Sequence, residues 1–302
     1  MSFALLFSGQ GTQHPGMLPW LADDAIVRNT CARLGVDDWR ASLADPAWAQ
    51  RNRNAQTLLT GLALAAWNQL ATTVASPAAV AGYSVGELAA FSAAGVIDAD
   101  AAASLAALRA EAMDRCAVQA PGGLLAVSGL AETRLEPLLL ETGVALAIRN
   151  GIESVIVGGP HAALGEAERI ASRHGAQCTR LRIDVASHTP WMREAAASFS
   201  QALANVTFHT PQSVLFSNAR DRIKDARAAR VALAAQIDST VHWDECMENI
   251  AARQVSCVLE VGPGQALARM WNQRYPAIAA RACDDFRSAA AIAAWLNSQS
   301  NP

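Results

Sequence analysis

Gly82-Tyr83-Ser84-Val85-Gly86-Glu87 is the stretch on which the reading of this chain turns. It follows a short apolar run, residues 78–81, and precedes a helical one containing Leu88, Ala89, Ala90 and Phe91. A G-x-S-x-G between a strand and a helix is a nucleophile elbow, a sharp turn that presents a serine hydroxyl at a helix N-terminus. The glycines let the turn tighten and let a substrate approach the backbone. The helix dipole and the N–H of Val85 favour negative charge beside the serine oxygen. These features suit acyl transfer; the plainer alternative is a glycine-containing βα turn with an incidental serine.

Strands and helices alternate on both sides of the elbow. Residues 3–7 read as a strand running into the glycine-punctuated loop Ser8-Gly9-Gln10-Gly11-Thr12-Gln13. Residues 55–73 read as a helix and 78–82 as a strand, with helix 86–94 after the elbow. Asp98 can cap the next helix, which runs to about Ala117. Later come helix 191–204, strand 213–216, helices 225–238 and 244–252, and strand 255–261, which is broken by Gly262-Pro263-Gly264. Helix 265–274, a strand near 278–283 and helix 286–297 close the chain. This alternation predicts an α/β fold with a parallel sheet covered on both faces. Residues 121–186 differ in texture. Strand 122–128, helix 132–141, strands 144–149 and 154–157, helix 162–174 and strand 177–183 follow the β-α-β-β-α-β order of a ferredoxin-like unit. That segment is expected to be a small domain inserted between residues 1–120 and 187–302.

The composition narrows the function. The 302 residues are 52% hydrophobic and 17% charged, which supports a substantial core and excludes disorder as the general state. A net charge of −3 leaves no basic footprint for nucleic acid. No apolar run reaches the length of a membrane span, and the N-terminal segment reads as a first strand rather than a secretion signal. The six cysteines, at 31, 116, 178, 246, 257 and 283, form no C-x-x-C pair and read as reduced thiols. A cytoplasmic protein is the expectation. No His/Cys/Asp/Glu group has metal-ligand spacing, and the Gly9–Gly11 loop lacks both the G-K-[ST] of a P-loop and the third glycine of a dinucleotide fingerprint.

A serine needs a base. His188, in the turn where the inserted segment rejoins the rest, is the best placed of six histidines; it is either that base or a structural residue. Asp184 is too near His188 along the chain to serve as a third triad member, so a dyad is expected, its imidazole oriented by a backbone carbonyl. Arg109 lies on the apolar stripe of helix 98–117 with Leu105, Leu108, Ala112 and Cys116. A guanidinium there needs an anion, and either a structural salt bridge or a substrate carboxylate would answer. The backbone N–H of Gln10, in a loop at the carboxyl edge of the sheet, can join that of Val85 as an oxyanion donor.

Five stretches together resemble the malonyl-CoA:acyl-carrier-protein transacylase family over nearly the whole chain. They are Phe7 to Gln13, Gly82 to Glu87, Leu108-Arg109-Ala110-Glu111-Ala112-Met113, Ser187-His188 with Met192, and Glu260-Val261-Gly262-Pro263-Gly264. The resemblance implies an α/β-hydrolase-like core with an inserted ferredoxin-like subdomain. It implies that Ser84 is acylated, that His188 acts as base and then acid, that Arg109 holds the malonyl carboxylate, and that the Gln10 and Val85 N–H groups form the oxyanion hole. It places Asn150 as a polar residue near the cleft. Malonyl-CoA is then a substrate, no cofactor is tightly bound, and the partner is an acyl carrier protein with a phosphopantetheine-type thiol. Two departures stand out: Ser8 replaces the usual proline, and Thr240-Val241-His242-Trp243 replaces a Pro-Val-Gln-Trp-like segment whose backbone carbonyl is taken to orient the base. With Gln13-His14-Pro15-Gly16-Met17, they resemble the branch serving malonate decarboxylase, whose carrier subunit bears a dephospho-CoA-derived group. The alternatives are a transacylase of fatty-acid or polyketide synthesis, a serine thioesterase or esterase, and a docking module without activity.

Overall fold

The computed structural model describes residues 2–299. The chain opens with β1 (Phe3–Phe7), followed by helices α1 (Ala25–Leu34), α2 (Trp39–Leu43), α3 (Pro46–Gln50) and α4 (Asn52–Ala71). Strand β2 (Ala79–Gly82) leads through the elbow into α5 (Gly86–Ala93), and α6 (Ala99–Gln119) follows. The middle segment contains β3 (Gly122–Ser128), α7 (Glu132–Thr142), β4 (Ala145–Gly151), β5 (Ser154–Pro160), α8 (His161–Arg173) and β6 (Gln177–Arg180). A 3-10 turn (Pro190–Met192) precedes α9 (Arg193–Leu203), β7 (Val214–Phe216), β8 (Arg222–Ile223) and α10 (Ala226–Ala235). The last part holds β9 (Val241–His242), α11 (Trp243–Ala251), β10 (Cys257–Val261), α12 (Ala266–Arg274), β11 (Ala279–Ala282) and α13 (Ala289–Ser298).

Two sheets form among the described residues. The larger has the order β11-β10-β1-β2-β7-β8. Its pairs are parallel except at the edge, where β8 runs antiparallel to β7. The fold is therefore α/β with a mixed sheet, not the purely parallel one expected. The strand alternation explains its two covered faces: Phe3, Leu5 and Phe7 join one core with α4, α5 and α6, while Ala4 and Leu6 join another with α11 and α12. The second sheet has the order β6-β3-β5-β4-β9. Its first four strands pair antiparallel, and β9 then adds parallel to β4. The sheet thus recruits a strand from far outside residues 121–186. Leu125, Val127, Val155 and Val157 pack with α7 and α8 residues in a core of their own. Leu124, Ile148 and Ile156 on the opposite face join the core shared with the larger sheet, which ties the two units together.

The sequence reading assigns nothing between Gln13 and Ala55, yet three helices lie there. Each opens on an aspartate, Asp24, Asp38 or Asp45, whose side chain accepts from backbone N–H groups of the first turn. Asp98 caps α6 in the same way. The strand expected over 177–183 ends at Arg180, although Leu181 N–H still donates to the Leu124 carbonyl.

The glycines of the elbow set how closely it meets β1. A Cβ on Gly82 would overlap the backbone of Gly86 and Glu87, and a Cβ on Gly86 would overlap the Phe7 carbonyl oxygen. Helix α5 therefore starts against the end of β1, beside the loop carrying Gln10. Gly86→Ala should cost about 1–3 kcal/mol of unfolding free energy. A urea midpoint equal to that of the unsubstituted protein would mean that this close approach is not made.

Candidate active site

Ser84 sits at φ 54°, a left-handed conformation that a serine adopts only when its surroundings hold it there. Two side-chain amides do so. Asn218 Oδ1 accepts from Ser84 N–H at 2.8 Å while Asn218 Nδ2 donates to the Gly82 carbonyl at 2.6 Å. Gln236 Nε2 donates to the Ser84 carbonyl at 2.7 Å. Asn218 is itself anchored, its backbone N–H donating to Glu87 Oε1 at 2.5 Å.

His188 also has a positive φ, 62°, and is 1% exposed. Its backbone N–H donates to the Ile237 carbonyl at 2.9 Å. Its Nδ1 lies 2.6 Å from the Gln236 carbonyl oxygen and its Nε2 lies 2.7 Å from Ser84 Oγ. A carbonyl can only accept, so Nδ1 carries the proton and Nε2 is left to accept from the serine hydroxyl. Burial, then the nearby Arg109 cation, hold the imidazole pKa down to about 3, partly offset by the Gln236 carbonyl. The ring is neutral across the physiological range.

Arg109 is 1% exposed, yet no carboxylate pairs with it among the described residues. Neutral amides take that place: Nη1 donates to Gln56 Oε1 at 2.6 Å and Nη2 to Gln236 Oε1 at 2.7 Å. Its Nε has no partner among the described residues. Burial lowers the guanidinium pKa to about 10, with the charge of Glu87 opposing the shift. Burial also raises the Glu87 carboxyl to about 7, against the Asn218 backbone amide that favours its charged form. Ser84, His188, Arg109, Gln10 and Gln56 line one cleft of about 130 Å³, walled by Leu124, Ile148, Ile156, Leu181 and Ile183. That wall comes from the second sheet and the segment after it.

Gln10 borders the cleft, and a Cβ on the preceding Gly9 would lie 2.9 Å from the Tyr83 carbonyl oxygen and 3.7 Å from Ser84 Cβ, so this loop rests on the elbow. Val85 is the residue immediately before α5. Asn150 lies behind the elbow, its Oδ1 accepting from Tyr83 Oη at 3.1 Å. Ser8 turns away from the cleft and donates to buried Glu260 Oε1 at 2.8 Å, while Glu260 Oε2 accepts from Ala268 N–H at the start of α12. His242 requires a correction. Its carbonyl does not orient the His188 ring, which is held by the Gln236 carbonyl just after α10. The His242 imidazole lies 3.3 Å from Glu245 in a separate pocket with Arg220, Asp221 and Asn249, and the His242 backbone N–H donates to the Asn218 carbonyl. Asn218, Gln236 and Gln56 escaped the sequence reading, because amides carry no motif and no charge imbalance that would mark them.

The chain matches the acyl transferase domain family over residues 4–300. It is an acyltransferase of that family. The malonyl CoA-acyl carrier protein transacylase of Mycobacterium tuberculosis (strain ATCC 25618 / H37Rv) is 34% identical to it over 293 residues, covering 92% of this chain and 95% of the relative. That of Escherichia coli (strain K12) is 30% identical, covering 94% and 96%. Among solved structures, the MCAT of Mycobacterium tuberculosis aligns at TM-score 0.85 and 30% identity over all of both chains. A malonyl-transacylase solved with its type II PKS acyl-carrier protein aligns at 0.89 and 28% identity, covering 99% of this chain and 100% of that one. No helix of this acyltransferase is long and apolar enough to cross a membrane among the described residues.

Asn218→Ala should remove on the order of 2–4 kcal/mol of stability, since it leaves the Ser84 N–H and Gly82 carbonyl unpaired in a buried place. Chemical denaturation measures this, and a cost below about 0.5 kcal/mol would show that other groups hold the elbow. The depressed His188 pKa has a signed consequence. Inactivation of Ser84 by phenylmethanesulfonyl fluoride should lose rate on the acid side only well below pH 6.5. Arg109→Met, by removing a cation that disfavours imidazolium, should move that limb upward. Glu87→Gln in both proteins removes a carboxyl titrating near 7 from the profile. An acid limb at 6.5 that ignores Arg109 would contradict the burial of this base.

Proposed function

We propose that this acyltransferase moves malonyl from malonyl-CoA, through a Ser84 ester, to the thiol of an acyl carrier protein. The carrying observation is Arg109: a buried cation bordering the Ser84–His188 cleft, hydrogen-bonded among the described residues only by neutral amides and with Nε unpartnered there. A guanidinium has five N–H donors, so two amide contacts leave donors for a bidentate carboxylate. An acetyl group would leave the charge uncompensated. In the first half-reaction Ser84 Oγ attacks the thioester carbonyl as its proton passes to His188 Nε2. The C–S bond then breaks and the CoA thiolate leaves with that proton. In the second, His188 takes the proton of the carrier thiol, whose sulfur attacks the ester carbonyl, and Ser84 Oγ departs reprotonated. The Gln10 and Val85 N–H groups are assigned to the carbonyl oxygen in both. No cofactor enters the scheme.

The relatives named above support an acyl carrier protein of fatty-acid or polyketide type as acceptor, ahead of the malonate decarboxylase carrier subunit. The departures that suggested the latter, Ser8 and His242, both lie off the cleft lining. For the architecture, the antiparallel order β6-β3-β5-β4 and the separate core beneath it support a ferredoxin-like subdomain at 121–186 within an α/β-hydrolase-like core of residues 1–120 and 187–302.

Intact-protein mass spectrometry after incubation with malonyl-CoA should show a malonyl adduct that Ser84→Ala abolishes. A fatty-acid or polyketide acyl carrier protein should discharge it; preferential discharge by the dephospho-CoA-bearing carrier would instead favour the decarboxylase role, and rapid discharge to water a thioesterase. Arg109→Ala should reduce kcat/KM for malonyl-CoA about 100-fold or more. Undiminished malonyl transfer in that variant would remove the carboxylate clamp from the mechanism.

A further inference from the structure

Gln236 touches three parts of the site at once. Its backbone carbonyl accepts from His188 Nδ1, its side-chain Nε2 donates to the Ser84 carbonyl, and its side-chain Oε1 accepts from Arg109 Nη2, all within 2.6–2.7 Å. The residue is 1% exposed, so both ends of the amide are committed and the side chain cannot turn without breaking a buried bond. Gln56, the other amide on Arg109, is different. It bonds to Asn52 and contacts the Met113 sulfur, but it reaches neither Ser84 nor His188. The two glutamines share the guanidinium, and one of them is also bound to the reacting pair.

This wiring has a consequence for acyl choice. A carboxylate clamped on Arg109 fixes the guanidinium, and Gln236, bonded to Nη2 through Oε1 and to the Ser84 carbonyl through Nε2, carries that fixing to the nucleophile's peptide. The Arg109 charge opposes the imidazolium that His188 becomes as Ser84 attacks. A carboxylate bound to Arg109 compensates that charge at the moment the proton moves. An acyl group lacking a carboxylate leaves the cation facing a base that must itself become positive.

Building on the malonyl-transfer reading, we propose that the Gln236 side chain is a positioning residue linking the acyl-carboxylate site at Arg109 to the Ser84–His188 pair. Through it, a free acyl carboxylate accelerates acylation as well as improving binding. Discrimination against uncharged acyl groups therefore appears in the rate at saturation, not only in the half-saturating concentration.

The test is the single-turnover rate of Ser84 acylation at saturating malonyl-CoA and at saturating acetyl-CoA, read by rapid quench and intact mass. Gln236→Met keeps the backbone carbonyl that orients His188 and removes both amide contacts. It should lower the saturating malonyl rate about tenfold more than the saturating acetyl rate, a coupling of ordinary size. Gln236→Glu compensates Arg109 but sets an acceptor-only carboxylate oxygen against the Ser84 carbonyl; it should lower the saturating malonyl rate about tenfold or more and weaken malonyl binding. An unaltered malonyl-to-acetyl ratio at saturation in Gln236→Met, or an equal fall in both rates, overturns the proposal. Should the Gln236 variants fail to fold, Gln56→Glu compensates Arg109 from the far side without touching the reacting pair. A higher saturating acetyl rate there supports the charge-compensation argument, and an unchanged one overturns it. Failure of the unsubstituted enzyme to acquire malonyl on Ser84 is a separate result, which removes the transfer reading and this inference with it.

Discussion

Ser84 occupies a backbone conformation that its own chemistry disfavours, and the architecture around it keeps it there. The left-handed φ lifts the hydroxyl out of the strand–helix turn, and the peptide groups on both sides are held by amides from distant parts of the chain. Asn218 comes from the end of β7 and Gln236 from the end of α10, so the elbow is correct only once the sheet edge and the late helices have assembled. Beneath it, Gly82 and Gly86 allow α5 to begin against β1. Strain at one residue is thus offset by hydrogen bonds that the strained conformation alone can make.

The electrostatics of the site follow from burial without neutralisation. Arg109, Glu87 and His188 are all almost wholly buried, and none is paired as a conventional salt bridge among the described residues. Desolvation pushes each toward its neutral form, lowering Arg109 and His188 and raising Glu87. Amides solvate the guanidinium without cancelling its charge. A carboxylate in place of Gln56 or Gln236 would have neutralised the guanidinium that the proposed clamp needs charged. The second sheet contributes the apolar wall of the cleft, set against this charged interior.

Much of this was legible in the residues. The alternation of strands and helices announced an α/β fold, and the glycine–serine–glycine turn identified the serine because only that spacing fits a tight βα corner. An arginine on an apolar helical stripe is conspicuous, since such a charge requires an answer. The short helices at 25–50 were also signalled, by an aspartate ahead of each, but their runs are too brief to show periodicity. The antiparallel edge β8 and the two-residue β9 left no comparable trace, because strands that short are defined by their partners.

The sequence by itself singled out Ser84, His188 and Arg109, because each is a residue type in a local pattern whose physical cost demands a function or a partner. It could not say which carbonyl faces His188. His242 and Gln236 are six positions apart, and the choice rests on where α10 ends and how the chain turns after it. Nor could it find the amides of Asn218, Gln236 and Gln56, whose value lies wholly in what they face. Tertiary structure alone decided those contacts, since a neutral hydrogen-bonding side chain is informative only when its donor and acceptor are assigned partners across the fold.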